Sequence, residues 1–375
     1  MATTQGTGKK RRQAGSNGTG ANGTGSEEEQ AAGQGSRQDS GQAEGQSLDQ
    51  GRLMALYRQM VGVRLFEEAC QRGFRRGKIG GYLHVYIGQE AVALGFLDAF
   101  RPGDRAITAY RDHAHALILG SEPKAVMAEL YGKGTGLVGG KGGSMHLFDV
   151  ANGLMGGYGI VGGHIPLGVG MAYAQRYQGS ENMVQLYLGD GSMHNGAFHE
   201  AANLAGLWGR DGMNPCLFII ENNQYGMGTS VERSTAMTDL GAKFDSYAIE
   251  HERVDGMDVV AVIECAHRVA QQVRVTGKPY AVEAMTYRLV PHGAGDFLER
   301  YRTKDEIAEW RERDPVGILE RRVLEAGSVE DDLAATRAEA KAAVEEAVAF
   351  ADESPEPDIS TLRTDVYADP ADVRG

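Results

Sequence analysis

Two short apolar runs, 183–188 (MVQLYL) and 216–220 (CLFII), each end in a polar turn, and this pairing most restricts how the chain can fold. Gly189-Asp190-Gly191-Ser192 follows the first run; Glu221-Asn222-Asn223-Gln224-Tyr225-Gly226 follows the second. Apolar, β-prone runs of this length, bounded by glycine or polar residues, read as strands buried on both faces of a parallel sheet. Between them, 198–208 (FHEAANLAGLW) has helical spacing and good helix formers. A right-handed strand–helix–strand crossover brings Asp190 and Asn223 to one edge, the carboxyl ends of the strands. Open α/β sheets bind their ligands there. A carboxylate and a carboxamide converging at that edge suit Mg²⁺ or Ca²⁺, and Mg²⁺ shares its shell with phosphates. Gly189 and Gly191 let main-chain N–H groups approach an anion just before a helix N-terminus. The local reading is a metal–diphosphate cradle.

The rest of the chain is consistent with that sheet. Residues 1–50 are almost wholly Gly, Ser, Gln, Asn, Thr and Glu, with one basic cluster, Lys9-Lys10-Arg11-Arg12. Such a segment buries too little apolar surface to offset chain entropy and is expected to be disordered. It has neither an apolar signal core nor the amphipathic period of a transit peptide. Residues 51–375 suit one large α/β domain. The net charge of −13 argues against nucleic acid as the main partner. No run is long and apolar enough to span a membrane. Three cysteines, Cys70, Cys216 and Cys265, lack C-x-x-C spacing, as expected of a reduced, cytoplasmic protein.

Helices are expected at 52–76, 89–100, 124–130, 165–177, 259–275 and across 315–349, where 334–349 forms the last long helix, with strands at 106–109 and 280–286. Residues 131–143 and 288–303 read as loops. Alternating strands and helices define a doubly wound parallel sheet. Rival motifs fail on spacing. Around Lys141 the Walker pattern breaks, because Thr135 stands where a glycine is needed and Gly142 follows the lysine. Gly168-Val169-Gly170 lacks the third glycine of a dinucleotide fingerprint, so a hydride-transferring Rossmann domain is only the fold-level runner-up. His199-Glu200 lacks the second histidine of a zincin. Asp112-His113-Ala114-His115 reads as the cap and filling of a helix rather than as a metal site. His84 and His292 are either satisfied core histidines or working groups, and the residues alone leave both readings open.

The segments 80–95 (GGYLHVYIGQEAVALG), 107–117, 140–148, 159–172, 301–307 and the closing PEPDIS…VYADPADVRG occur in the same order as in a known family. With GDGS…ENNQYGMGTSVER, the chain resembles the α subunit of the thiamine-diphosphate-dependent E1 component of 2-oxoacid dehydrogenase complexes, the pyruvate branch most of all. The resemblance runs from about residue 52 to the end. It implies that Asp190, the Asn223 side chain and the Tyr225 carbonyl hold Mg²⁺, with Gly191 and Ser192 beside the diphosphate. It places Tyr110 and Arg111 on the diphosphate and the backbone of Gly159 and Val161 near the aminopyrimidine ring. It makes His84 a stabiliser of charge at the reacting centre, and His292 a proton source for acyl transfer to the lipoyl group of an E2 protein.

Members of this family take an activating glutamate from a second domain. Here that implies a separate β subunit and an α₂β₂ heterotetramer acting on a 2-oxo acid. Two departures stand out: Val290 replaces a family histidine, and Gly293 and Arg300 replace serines that mitochondrial relatives phosphorylate. Neither residue carries a hydroxyl, so phosphorylation there is excluded. Residues 209–214 read as a surface insertion. An acetoin dehydrogenase α subunit, which shares the histidine at position 84, and a branched-chain 2-oxoacid dehydrogenase remain alternatives. A non-catalytic binding protein on this fold is the alternative of another class.

Overall fold

Six parallel strands form the centre of the molecule, in a computed structural model that describes residues 48–365. The expectations for residues 1–47 and for the closing 366–375 lie outside the described residues. In chain order the strands and a small ribbon are β1 (Arg105–Ala109), β2 (Leu154–Tyr158), β3 (Val184–Gly189), β4 (Cys216–Asn222), the ribbon β5 (Tyr225–Gly226) and β6 (Thr229–Ser230), β7 (Glu250–Asp255) and β8 (Tyr280–Met285). The sheet order is β2-β1-β3-β4-β8-β7. From β1 the chain steps to one side as β2 and then returns to the other side as β3. The direction of winding therefore reverses between β1 and β3, and the carboxyl ends of those two strands border the crevice where such sheets bind ligands.

Alternation along the buried strands sorts the core into two layers. Val184, Leu186 and Leu188 of β3 and Cys216, Phe218 and Ile220 of β4 face α5 (Ile165–Tyr177) and α6 (Gly196–Gly209). Tyr187, Leu217 and Ile219 face α2 (Glu90–Asp98) and α8 (Val259–Thr276). Strands covered on both faces are apolar at nearly every position, which is why the two runs show no polar alternation; the one buried amide, Gln185, donates to the Phe96 carbonyl at 2.7 Å. Each fully buried side chain of this size contributes ~1.5–3 kcal/mol. Outside α2 lies a further helical layer of α1 (Gln50–Arg75), α10 (Pro315–Glu325) and α11 (Glu330–Glu353). The remaining helices are α3 (His113–Leu119), α4 (Pro123–Leu130), the single turn α7 (Val231–Ser234) and α9 (Lys304–Glu312).

Four elements differ from expectation. β7 (EHERVD) is a half-exposed edge strand with no apolar run to announce it. β2 (LMGGY) carries two glycines, which lower strand propensity. α9 begins with Thr303 accepting from the Glu306 amide, a cap readable in T-x-x-E yet absent from the expectation. The helical stretch 315–349 breaks into two at Gly327, whose φ of 104° no side-chain-bearing residue adopts cheaply. Asp112 stands at the cap position of α3, but its carboxylate accepts from the Leu147 amide instead of capping the helix.

Close packing between α2 and α8 depends on Gly95. A Cβ there would lie 2.5 Å from Val262 Cγ1 and 2.6 Å from its Cβ, atoms on a stiff side chain. Gly95→Ala is expected to destabilise the protein by ~1–3 kcal/mol, since overpacking outweighs the gain of ~1 kcal/mol in helix propensity. Gly62→Ala on α1, with nothing within 4 Å of the added atom, is expected to be neutral or stabilising. Thermal melting of the two variants checks the contrast.

Candidate active site

The site lies where the chain leaves β1, β3 and β4. β1 delivers Tyr110 and Arg111, β3 delivers Asp190, and β4 delivers Asn223 followed by the β5–β6 ribbon. They surround a cavity of about 370 Å³ lined by every site residue named from the sequence except His84 and Gly159. His84 lies just behind the wall, with its ring centroid 4.5 Å from Tyr110 and 5.1 Å from His292. Gly159 lies off the cavity against His146, where a Cβ would come within 3.0 Å of the ring. Gly191 is needed for close approach, because a Cβ there would lie 3.2 Å from Gly226 Cα.

Asp190 is buried, and its Oδ2 has no hydrogen-bond partner. Burial raises its pKa to about 6, against the lowering influence of the Gly191 amide and the Arg288 charge. Ser192 Oγ donates to the Gly189 carbonyl at 2.6 Å and closes the turn. Asn223 Nδ2 donates to Gln89 Oε1 at 2.9 Å, which turns the carboxamide oxygen away from Gln89. Glu221, a further buried carboxylate on the cavity wall, has its pKa raised to about 7 by burial and accepts a hydrogen bond from Tyr86.

Positive charge dominates the opposite side. Arg111 donates to the Val85 carbonyl at 2.8 Å and to the His292 carbonyl. Behind it, Arg288 donates to the Tyr225 and Met227 carbonyls at 3.2 and 3.0 Å. Arg302 donates to the Arg288 carbonyl at 2.7 Å, with its guanidinium 4.1 Å from the Tyr287 ring centre and 4.5 Å from that of Tyr225. The partners of these three buried cations are carbonyls, rings and one imidazole rather than carboxylates. Burial, with Arg111 and Arg302 nearby, pushes Arg288 down to about 9. Uncompensated buried cations beside an open cavity make a seat for a polyanion. Arg288 and Arg302 were not named as site residues from the sequence, although both lie inside motifs that had been noticed. Only the fold shows that they carry charge without carboxylate partners.

Their partners assign the two histidines opposite tautomers. His84 Nδ1 lies 3.2 Å from the Tyr82 carbonyl, so it carries the hydrogen and Nε2 is left as an acceptor. His292 Nδ1 faces two donors, Arg288 Nη1 at 2.5 Å and Arg111 Nη2 at 3.2 Å, so its hydrogen is on Nε2. Burial and the Arg111 charge push His84 down to about 3, and the same causes with Arg288 push His292 down to about 2. Gly293 packs beside them. A Cβ there would lie 2.8 Å from Tyr82 Cε1 and 3.1 Å from His84 Cδ2. Of the rival motifs, His199 Nδ1 pairs with the Tyr247 hydroxyl at 2.7 Å, and Lys141 pairs with Asp365.

A doubly wound sheet with an orphaned carboxylate and an anion seat at its switch point defines an α/β enzyme built to hold a phosphorylated cofactor. The chain belongs to the dehydrogenase E1 component family, whose model matches residues 58–360. Among its relatives, the pyruvate dehydrogenase E1 component subunit alpha of Rickettsia felis is 45% identical over 83% of this chain and 94% of its own length. The protein of the same description from Rhizobium meliloti is 43% identical over 83% of this chain and 88% of its own. That from Zymomonas mobilis is 41% identical over 85% and 89%. Membership of the family implies dependence on thiamine diphosphate.

The electrostatics give a test that needs no turnover. With its pKa held near 2, His292 is expected to stay neutral from pH 8 to pH 5, with ring ¹⁵N signals of the Nε2–H form. Inorganic diphosphate, by offsetting Arg111 and Arg288, is expected to raise that pKa and make the signals move. A midpoint near the ordinary 6.5 in the ligand-free protein would contradict the assignment.

Proposed function

We propose that this chain is the α subunit of a pyruvate dehydrogenase E1 enzyme that holds thiamine diphosphate through Mg²⁺ and works with a separate β subunit. The observation that carries this reading is the pairing, in one cavity, of the orphaned Asp190 oxygen with the buried Arg111 guanidinium, which lacks a carboxylate partner. The Asp190 carboxylate, the Asn223 carboxamide oxygen and the Tyr225 carbonyl are three hard oxygens of the kind Mg²⁺ takes. The Tyr225 carbonyl accepts from Arg288 at the long distance of 3.2 Å and keeps a second lone pair for the cation. Arg111 and Tyr110, with the main-chain N–H groups at Gly191 and Ser192, would hold phosphate oxygens. The backbone of Gly159 and Val161 would face the aminopyrimidine ring.

Once bound, thiamine diphosphate supplies the electron sink for decarboxylation of a 2-oxo acid. The protein positions groups around it. His84 offers a bare Nε2 as acceptor and His292 offers Nε2–H as donor, on rings 5.1 Å apart. With a diphosphate bound, the Arg111 and Arg288 charges would be offset and His292 would become more basic, so that it would serve as proton donor when the acetyl unit passes to the lipoyl group of E2. Val161, apolar and exposed on the cavity wall and next to the exposed Ile160, supports a covering β subunit that would bring the activating glutamate in an α₂β₂ assembly. The relatives' descriptions favour pyruvate over acetoin or a branched-chain 2-oxo acid. The free, buried cysteines suit a cytoplasmic setting.

Asp190→Ala in the co-expressed assembly is expected to weaken Mg²⁺-dependent cofactor binding more than ~100-fold, beyond the usual cost of an outer-sphere change. Calorimetric titration measures it, and unchanged affinity would sink the metal assignment. The purified chain alone is expected to show no pyruvate decarboxylation until its β partner is added. Robust turnover by the chain alone would refute the split site.

A further inference from the structure

The segment that carries His84 has no strand neighbours, and side chains hold its backbone one residue after another. The His84 amide donates to Ser144 Oγ at 3.4 Å, the Val85 carbonyl accepts from Arg111 at 2.8 Å, and the Tyr86 amide donates to Glu67 Oε1 at 2.8 Å. One residue joins the outer two of these contacts. His113 Nδ1 lies 2.7 Å from Glu67 Oε2, and its Nε2 lies 3.0 Å from both the carbonyl and the hydroxyl of Ser144. A carboxylate and a carbonyl can only accept, so both ring nitrogens carry hydrogen and His113 is an imidazolium. Burial is the largest single influence and lowers its pKa, but the Glu67 charge and hydrogen bond, the Asp112 charge and the Ser144 carbonyl together turn the net direction upward. Glu67 and His113 are both fully buried, which makes the pair costly to break from one side.

Cys70 lies in the same cluster, yet the group is no metal site. Both oxygens of Glu67 and both nitrogens of His113 are already engaged. What the cluster does is join three pieces of chain: α1 through Glu67, the turn at Ser144, and the start of α3. The last follows directly on the Tyr110-Arg111 step into the cavity.

We infer that His113, as an imidazolium bridging Glu67 and Ser144, is a positioning residue that fixes the His84 ring against Tyr110 and His292. The inference rests on the reading that His84 acts at the reacting centre. His113 touches no part of the cavity and works through the backbone of 84–86. Losing it frees that segment at two of its three tethers while leaving Asp190, Asn223 and Tyr225 where they are.

The test uses the co-expressed α and β chains with pyruvate, Mg²⁺ and thiamine diphosphate. His113→Gln is expected to lower kcat ~10–100-fold while cofactor affinity stays within ~3-fold, because positioning errors fall on the chemical step. Cys70→Ala, which perturbs the same cluster without cutting a tether, is expected to leave kcat unchanged. In a His84→Ala background, His113→Gln is expected to cost nothing more, as two residues acting in series require. Additive losses, or no loss from His113→Gln alone, overturn the proposal. Should His113→Gln fail to fold, Ser144→Ala, which cuts the tether to the His84 amide and leaves the Glu67 one, must show the same non-additivity. Should His84→Ala itself leave turnover intact, the functional reading of His84 falls. The positioning claim is then judged by the ¹⁵N signals of the His84 ring, which must shift in His113→Gln; unchanged signals overturn it.

Discussion

Three guanidiniums buried without carboxylate partners, Arg111, Arg288 and Arg302, are the constraint around which this site is arranged. A folded chain does not keep such charge inside without compensation of some kind. Here the compensation is distributed: carbonyls of Val85, Tyr225, Met227, Arg288 and His292 point at the three cations, and tyrosine faces flank the innermost one. The carbonyls come from separate segments, so satisfying the charge also gathers those segments together. The 288–303 loop, the β5–β6 ribbon and the segment at 84–86 meet because each gives its backbone to an arginine. What dipoles leave unneutralised is the field that a diphosphate would complete.

Histidine shows how finely that field is graded. His292 and His84 lie against guanidiniums and are neutral, with opposite tautomers set by their nearest partners. His113, at the start of the next helix, is charged because a buried carboxylate stands on one side and a carbonyl on the other. His115, two residues on, lies buried among Tyr86 and Tyr187, and burial, opposed only by the Arg111 carbonyl, pushes it down to about 3. Four histidines within one small region thus take up distinct electrostatic roles, and residue type alone predicts none of them.

That limit explains what the sequence revealed and what it hid. The cradle was legible because its parts are local: an apolar strand, a glycine turn and a carboxylate or carboxamide at a fixed offset. Those offsets carried Asp190 and Asn223 to one edge as expected, and helices such as Ile165–Tyr177 ended where their spacing said. β7 was hidden because an edge strand needs no apolar run. Arg288, Arg302, Glu67 and His113 were hidden because their importance comes from partners tens to hundreds of positions away. Asp112-His113-Ala114-His115 looked like the filling of a helix; half of that is right, since His115 does only that while His113 ties three segments together.

Loop 288–303 illustrates how such distant pairings set local order. The hydroxyls of Tyr225 and Tyr287 both donate to Glu306 of α9, at 3.0 and 2.8 Å, and Arg302 lies between their rings. Trp310, one turn further along α9, stacks on Tyr287 with ring centres 4.8 Å apart. The loop is therefore held at its far end by a helix and at its near end by the Arg111–His292 contact. Flanking His292 are Pro291, which restricts the backbone, and Gly293, which leaves room for Tyr82 and His84. A serine at 293 would have to displace one of those rings. The residue that offers no hydroxyl for phosphorylation there is also the one that lets the Tyr82 ring lie close against the loop beside His84.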